Sequence, residues 1–220
     1  MASAKKPSAP STASHQESIR KPKLLLVEGR EDLAVFRELC DHWGLDDIQI
    51  IAMEGIKNLR ARLNVLVRDP GFRKLRTLGV ARDADDNAQS AFQSVRSALA
   101  ECPPLSTGLP PKAGVRGAAN PATIVFVVPD NTSPGNLETM LNRTRAGDPT
   151  DRCIDEYFDC LAQQAEFGPS ERRLDKARAH ARIAVSSNPA RSVGHSVRAS
   201  GVWDLDHESL TPAKAFLAGL

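Results

Sequence analysis

From residue 23 to residue 128, short apolar runs alternate with longer stretches whose apolar side chains recur every three or four positions. This alternation leaves few folds open. An apolar run of five or six residues bounded by turn signals reads as a strand buried on both faces, and a 3.6-residue period reads as an amphipathic helix. Strands are expected over 23–27, 48–52, 77–81 and 123–128, and helices over 31–42, 56–68 and 88–100. Leu33, Phe36 and Cys40 mark the inward stripe of the first helix, Leu59, Leu63 and Leu66 that of the second, and Phe92, Val95 and Leu99 that of the third. Strands alternating with helices give an α/β fold, a central, mostly parallel four-stranded sheet flanked by helices. Further helices are expected over 137–142, 151–166 and 170–186, as C-terminal additions.

Residues 1–21 are rich in Ala, Ser, Pro, Lys and Thr and hold little that could form a core, so a disordered tail is expected there, followed by a single domain over 22–220. The stretch 102–121 is dense in Pro and Gly and reads as a long surface loop. No apolar run approaches the ~18 residues of a membrane span, and no signal peptide opens the chain, so a soluble, cytoplasmic protein without membrane contact is expected. Cys40, Cys102, Cys153 and Cys160 form no CxxC pair and have no histidine at ligand spacing, which argues against zinc. No GxxxxGK[ST] loop occurs, so no ATP site is expected in this chain.

Ligands of parallel α/β sheets bind beyond the carboxyl ends of the strands. Here every strand end carries a carboxylate: Glu28, Glu54, the Asp83, Asp85 and Asp86 group, and Asp130. Gathered in one crevice, such groups repel one another unless protons or cations neutralise them, and hard oxygen donors suit Mg²⁺ or Mn²⁺. Asp32, four residues after Glu28, is placed to face the same crevice from the first turn of a helix, although a first-turn acid also complements the helix dipole. Asp83 and Asp85 flank one residue and, in extended backbone, project to the same side.

Two segments carry a resemblance to a known superfamily. Leu24-Leu-Leu-Val-Glu28-Gly29-x-x-Asp32 together with Gly79-Val-Ala-Arg-Asp83-Ala-Asp85-Asp86 is similar to the Toprim domain of topoisomerases, bacterial primases, ribosomal-RNA maturases and overcoming-lysogenization-defect (OLD) nucleases. Val128-Pro-Asp-Asn-x-x-Pro134-Gly-Asn-Leu-Glu138 and Asp175-Lys176-Ala177 resemble a group of small, stand-alone bacterial Toprim proteins, so that the likeness covers about 23–185. It implies a Toprim-like, Rossmann-like core and a site for phosphodiester hydrolysis of DNA or RNA with one or two Mg²⁺ or Mn²⁺ ions. Glu28, Asp32, Asp83, Asp85 and Glu138 would hold the metal. Glu28, Asp83, Asp85 and Lys176 would be catalytic, in an in-line attack by water assisted by two metals, with Lys176 beside the scissile phosphate. Asp86 and Asp130 would support the ligands or cap turns.

The chain's 29 basic and 27 acidic residues nearly cancel, but the charge is uneven. Residues 170–200 hold seven basic against two acidic side chains, and Arg172, Arg173, Arg178 and Arg182 are the expected contacts to nucleic-acid phosphates. An exposed basic helix face explains the same pattern without any ligand. Tyr157 is the one tyrosine and has no companion domain, which argues against topoisomerase chemistry. If ATP controls the protein, a separate ATPase or defence-system subunit supplies it; a homodimer stays open. The competing reading is a non-catalytic Toprim-like metal- or nucleotide-binding regulatory subunit. A phosphatase with Asp83 as nucleophile and Asp85 as acid fits the Asp-x-Asp motif but leaves Glu28 without a role.

Overall fold

The computed structural model describes residues 18–164, 170–198 and 201–220, and omits the side chains of Glu171 and Arg172. Its centre is one four-stranded sheet of β1 (Lys23–Val27), β2 (Ile48–Ala52), β3 (Thr77–Asp83) and β4 (Ala122–Val128), in the order β2-β1-β3-β4. All three pairings are parallel, with Leu25 opposite Ile50 on one side and Gly79 on the other. The helices are α1 (Arg30–His42), α2 (Leu59–Leu66), α3 (Ala88–Ala100), α4 (Leu137–Arg143), α5 (Pro149–Ala162), α6 (Glu171–Val185), α7 (Val193–Ser196) and α8 (Thr211–Ala218). This is a Rossmann-like α/β arrangement, with helices on both sides of an all-parallel sheet.

The two-residue period of a strand explains why the strand sequences are apolar throughout. Leu25 and Val27 point into one core, with Val35, Phe36 and Leu39 of α1, Met140 of α4, Ile183 of α6 and Phe216 of α8. Leu24 and Leu26 point into the other, with Leu63 of α2 and Phe92 and Val95 of α3. In the first core Phe126 stacks on Phe216 at 5.1 Å between ring centres and meets Phe36 edge-on at 6.3 Å. The C-terminal segment is therefore part of a layer rather than an appendage. Gly79 on β3 makes room for it: a Cβ there would lie 2.6 Å from the end of Leu220 and 3.1 Å from Phe216.

Several expected boundaries move. The second helix splits into a single 3₁₀ turn, Ile56–Asn58, and α2. The strand β3 runs on to Asp83 and the helix α5 begins at Pro149. The loop after α3 is less open than its composition predicts, because Cys102 and Leu105 are buried and the amides of Gly114 and Gly117 bond the carbonyls of Val125 and Thr123, covering the outer edge of β4. The expected tail also ends earlier than residue 21. Ile19 is buried beside the turn at Asp69, whose carboxylate accepts its amide, and Lys21 reaches the carbonyls of Asp46 and Ile48. Residues 1–17 of that tail lie outside the described residues. No helix among the described residues is long and apolar enough to cross a membrane.

Candidate functional site

The strand order places β1 beside β3 while their outgoing chains part: α1 after β1 packs on one face of the sheet and α3 after β3 on the other. The gap left at the carboxyl ends of these two strands is the crevice where parallel α/β folds take their ligands. Glu28 lies at the end of β1 and Asp83 is the last residue of β3.

Gly29 caps α1 in extended backbone, and its amide donates to the Asp32 carboxylate at 3.0 Å. A Cβ at this position would sit 3.3 Å from that same carboxylate oxygen, so glycine lets Asp32 fold back over the strand end. Burial, with the charges of Glu28 and Glu138, pushes Asp32 up to about 6, against the pull of the Gly29 and Asp32 amides. The carbonyl of Glu28 accepts the Gly55 amide at 2.9 Å and its carboxylate accepts the Ile56 amide, which ties the end of β1 to the turn after β2. Burial and Asp85 raise Glu28, and Arg82, Ile56 and Lys176 oppose them.

Asp83 is shifted in the same direction. Burial raises it well above the usual carboxylate range, and Asp32, Glu28, Glu138 and Asp85 add to the effect in that order. Its Oδ1 is buried without a hydrogen-bond partner. Five carboxylates from three separate chain segments, Glu28, Asp32, Asp83, Asp85 and Glu138, are thus near enough to perturb one another. Lys176 of α6 joins it, with its Nζ 3.5 Å from the buried Glu138 carboxylate.

One expectation about geometry fails. Asp83 and Asp85 do not share a face by strand alternation, because Asp85 has φ +52° and has left the strand. An antiparallel bridge to Gly135 holds it, through N–H to O contacts of 3.0 and 2.8 Å. Glu54 and Asn131, just beyond β2 and β4, also have positive φ, so backbone strain collects along the carboxyl edge of the sheet. The Gly135 bridge leads into α4, where the Asn136 side chain accepts the Thr139 amide and the Asn136 amide bonds the Thr139 hydroxyl, both at 3.0 Å. That hydroxyl donates to Asp175 at 2.5 Å and Asn142 reaches the Asp175 carbonyl at 2.9 Å, which fastens α6, and with it Lys176, to the helix that carries Glu138. A cleft of ≈ 340 Å³ opens beside this bridge, lined among others by Asp85, Asp86, Thr139, Arg143 and Asp175.

One residue that the sequence did not single out joins the site, and two that it did fall outside it. The Arg82 guanidinium is held by the Ser94 hydroxyl at 2.6 Å and lies 4.0 Å from Asp85, as a counter-charge built into β3. Asp130 is a structural residue: burial alone would raise it, but the Ser133 amide and hydroxyl, Arg143 and Thr132 outweigh that and hold it well below the usual range. Glu54 is exposed and pairs with Arg30 at 3.2 Å.

The expected phosphate contacts fare differently. Arg182 is buried beside Asp151 and Asp148, so it braces α6 against α5 and is not open to a ligand. Arg178 pairs with Asp155 at 2.9 Å. Arg173 is exposed, and the side chain of Arg172 lies outside the described residues. The positive balance of this segment is largely the fixing of helices that face acidic neighbours. Among the described residues, no three His, Cys, Asp or Glu side chains are already gathered at metal-holding geometry.

The family described as "Protein of unknown function (DUF3226)" matches residues 22–220. The chain belongs to the DUF3226 family. No curated protein and no solved structure matches it. The match runs through the whole sheet of this DUF3226 chain, its carboxylate crevice and the C-terminal helix α8.

Proposed function

We propose that this DUF3226 protein is a Toprim-like, Mg²⁺- or Mn²⁺-dependent nuclease that hydrolyses phosphodiester bonds of nucleic acid in the cytoplasm. The observation that carries the reading is the buried, unpartnered Oδ1 of Asp83 amid four further carboxylates at the switch point of the sheet. An acceptor without a donor, among like charges that raise one another, is costly unless a cation completes it. The donor set is hard oxygen only, as Mg²⁺ and Mn²⁺ prefer. Glu28, Asp83 and Asp85 would hold the ion, with Asp32 and Glu138 beside them, after their side chains draw in from the separations they have here.

When bound, the ion supplies Lewis acidity toward a phosphoryl oxygen and lowers the pKa of a water molecule. The protein's own groups do the rest. Lys176 presents a cation to the charge that develops on the phosphate, and Arg82 offsets the repulsion between Glu28 and Asp85. Asp32, raised to about 6, can hold or release a proton near neutral pH at the carboxylate beside Glu28.

The second reading, a metal- or nucleotide-binding regulatory subunit without turnover, has one observation in its favour: Lys176 already sits against Glu138, and among the described residues no three ligands are closed to metal geometry. Incubating the protein with plasmid DNA and with RNA in Mg²⁺, Mn²⁺ or EDTA separates the two. Cleavage that needs the metal and is lost in Asp83→Asn supports the nuclease. Intact nucleic acid under every condition, with Mn²⁺ still bound, supports the regulatory subunit. An ATPase or defence-system partner and a homodimer belong to the same proposal.

A further inference from the structure

The arginines of α6 that looked available are tied to Asp155 and Asp151, and Arg198 is tied to Glu38 at 2.9 Å. Other exposed cations stand on segments beside the crevice. Arg30 follows Gly29 just beyond β1, is 85% exposed at its side chain, and among the described residues pairs with the exposed Glu54. Lys57 is exposed in the 3₁₀ turn whose Ile56 amide binds the Glu28 carboxylate. Lys176 is half exposed at Glu138, and Arg173 stands three residues before it, on the same side of α6 and exposed. Lys57 and Arg173 make no ion pair among the described residues. An exposed pair such as Arg30 with Glu54 contributes little and gives way readily to a phosphate.

We propose that Arg30, Lys57, Arg173 and Lys176 form a phosphate-binding rim around the carboxylate crevice, which holds the polyanionic backbone of DNA or RNA across it. The inference rests on the nuclease reading and deepens it. Three of the four side chains lie on segments tied to Glu28 or Glu138: Arg30 two residues along the chain from Glu28, Lys57 through Ile56, and Lys176 through its own ion pair. A backbone lying on these cations therefore passes over the carboxylates, whereas one bound along the α5–α6 surface would meet Asp155 and Asp151. The rim also accounts for how an acidic site retains an anion: phosphates flanking the reacting one are held by charges outside the crevice.

Fluorescence anisotropy in Ca²⁺ buffer over a KCl series tests it, with a fluorescein-labelled DNA duplex and an RNA duplex of equal length as probes. The rim variant is R30Q/K57Q/R173Q. The control is R60Q/R152Q/R198Q, which removes the same charge from exposed positions paired elsewhere. The slope of log affinity against log salt should fall by about 2.7 in the rim variant on B-DNA, at ~0.9 per lost contact, and stay at the wild-type value in the control. The charge-keeping variant R30K/K57R/R173K should retain the wild-type slope, which separates lost contacts from lost folding. The duplex showing the larger loss identifies the backbone preferred. Equal slopes for rim and control variants, or no binding of either duplex by the wild type, overturn the rim. Wild-type cleavage with Mn²⁺, run alongside, distinguishes failure of the rim from failure of the nuclease: cleavage with an unchanged rim slope removes the rim alone, and absence of cleavage removes the nuclease reading.

Discussion

Asp32 shows how far one side chain can be displaced from its ordinary chemistry. Its carboxyl is raised from 3.8 to about 6 because burial, Glu28 and Glu138 disfavour the charge. The folded state therefore holds a proton that the unfolded chain has already released, and stability falls as pH rises from about 3.8 to about 6. Above that window the cost is complete. Asp32→Asn, which keeps an oxygen for the Gly29 amide, should be more stable than the wild type at pH 7 by about 1–3 kcal/mol. The gain should shrink as pH is lowered through the window and vanish near its bottom, as followed by urea denaturation at several pH values. At this scale the sequence was informative about which residues come near one another: Glu28, Asp32, Asp83 and Asp85 carry a visible charge at a visible strand or helix end, whereas Glu138 was pointed to by the resemblance alone. It was silent on Arg82, whose role comes from a bond to Ser94 on a different element, and it misassigned Arg182, since nothing local distinguishes a buried arginine from an exposed one on a basic helix.

Among the elements, the turns decide more than the helices and strands. Apolar period located β1, β2, α1 and α3 almost to the residue, because both faces of the sheet are covered and the pattern has no exception to make. It could not anticipate that Asp85 leaves the strand in a left-handed conformation and pairs with Gly135, fifty residues on, since that bridge depends on two turns meeting. Gly135 is required there twice over: its φ is +135°, and a Cβ would lie 2.7 Å from the Thr139 hydroxyl and 2.9 Å from the Thr139 Cβ. Gly135→Ala should lower stability by about 1–3 kcal/mol. It should also weaken Mn²⁺ binding, because the bridge to Asp85 and the cap that aims Glu138 both pass through this residue. Isothermal titration with Mn²⁺ and thermal melting together measure the two effects. Loss of stability with unchanged Mn²⁺ affinity would show that the bridge supports the fold without orienting the carboxylates.

For the molecule as a whole, the near balance of 29 basic and 27 acidic residues reflects pairing as much as function. Arg182, Arg178 and Arg198 hold α5, α6 and α1 in place, while Lys57 and Arg173, without an ion pair among the described residues, stand on segments beside the crevice. The start of the fold has a practical bearing. The family match begins at residue 22, yet Ile19 is buried against the turn at 69–71 and Lys21 bridges to the strand β2 at the edge of the sheet. A recombinant fragment cut at residue 22 would keep every family position and lose this clasp. Removing a buried isoleucine side chain alone costs about 2–4 kcal/mol. Such a fragment should melt at least about 5 °C below a chain that begins at Ser18, in a differential scanning calorimetry comparison. Fragments for crystallisation or for binding work are better drawn from the packing of Ile19 than from the edge of the family match.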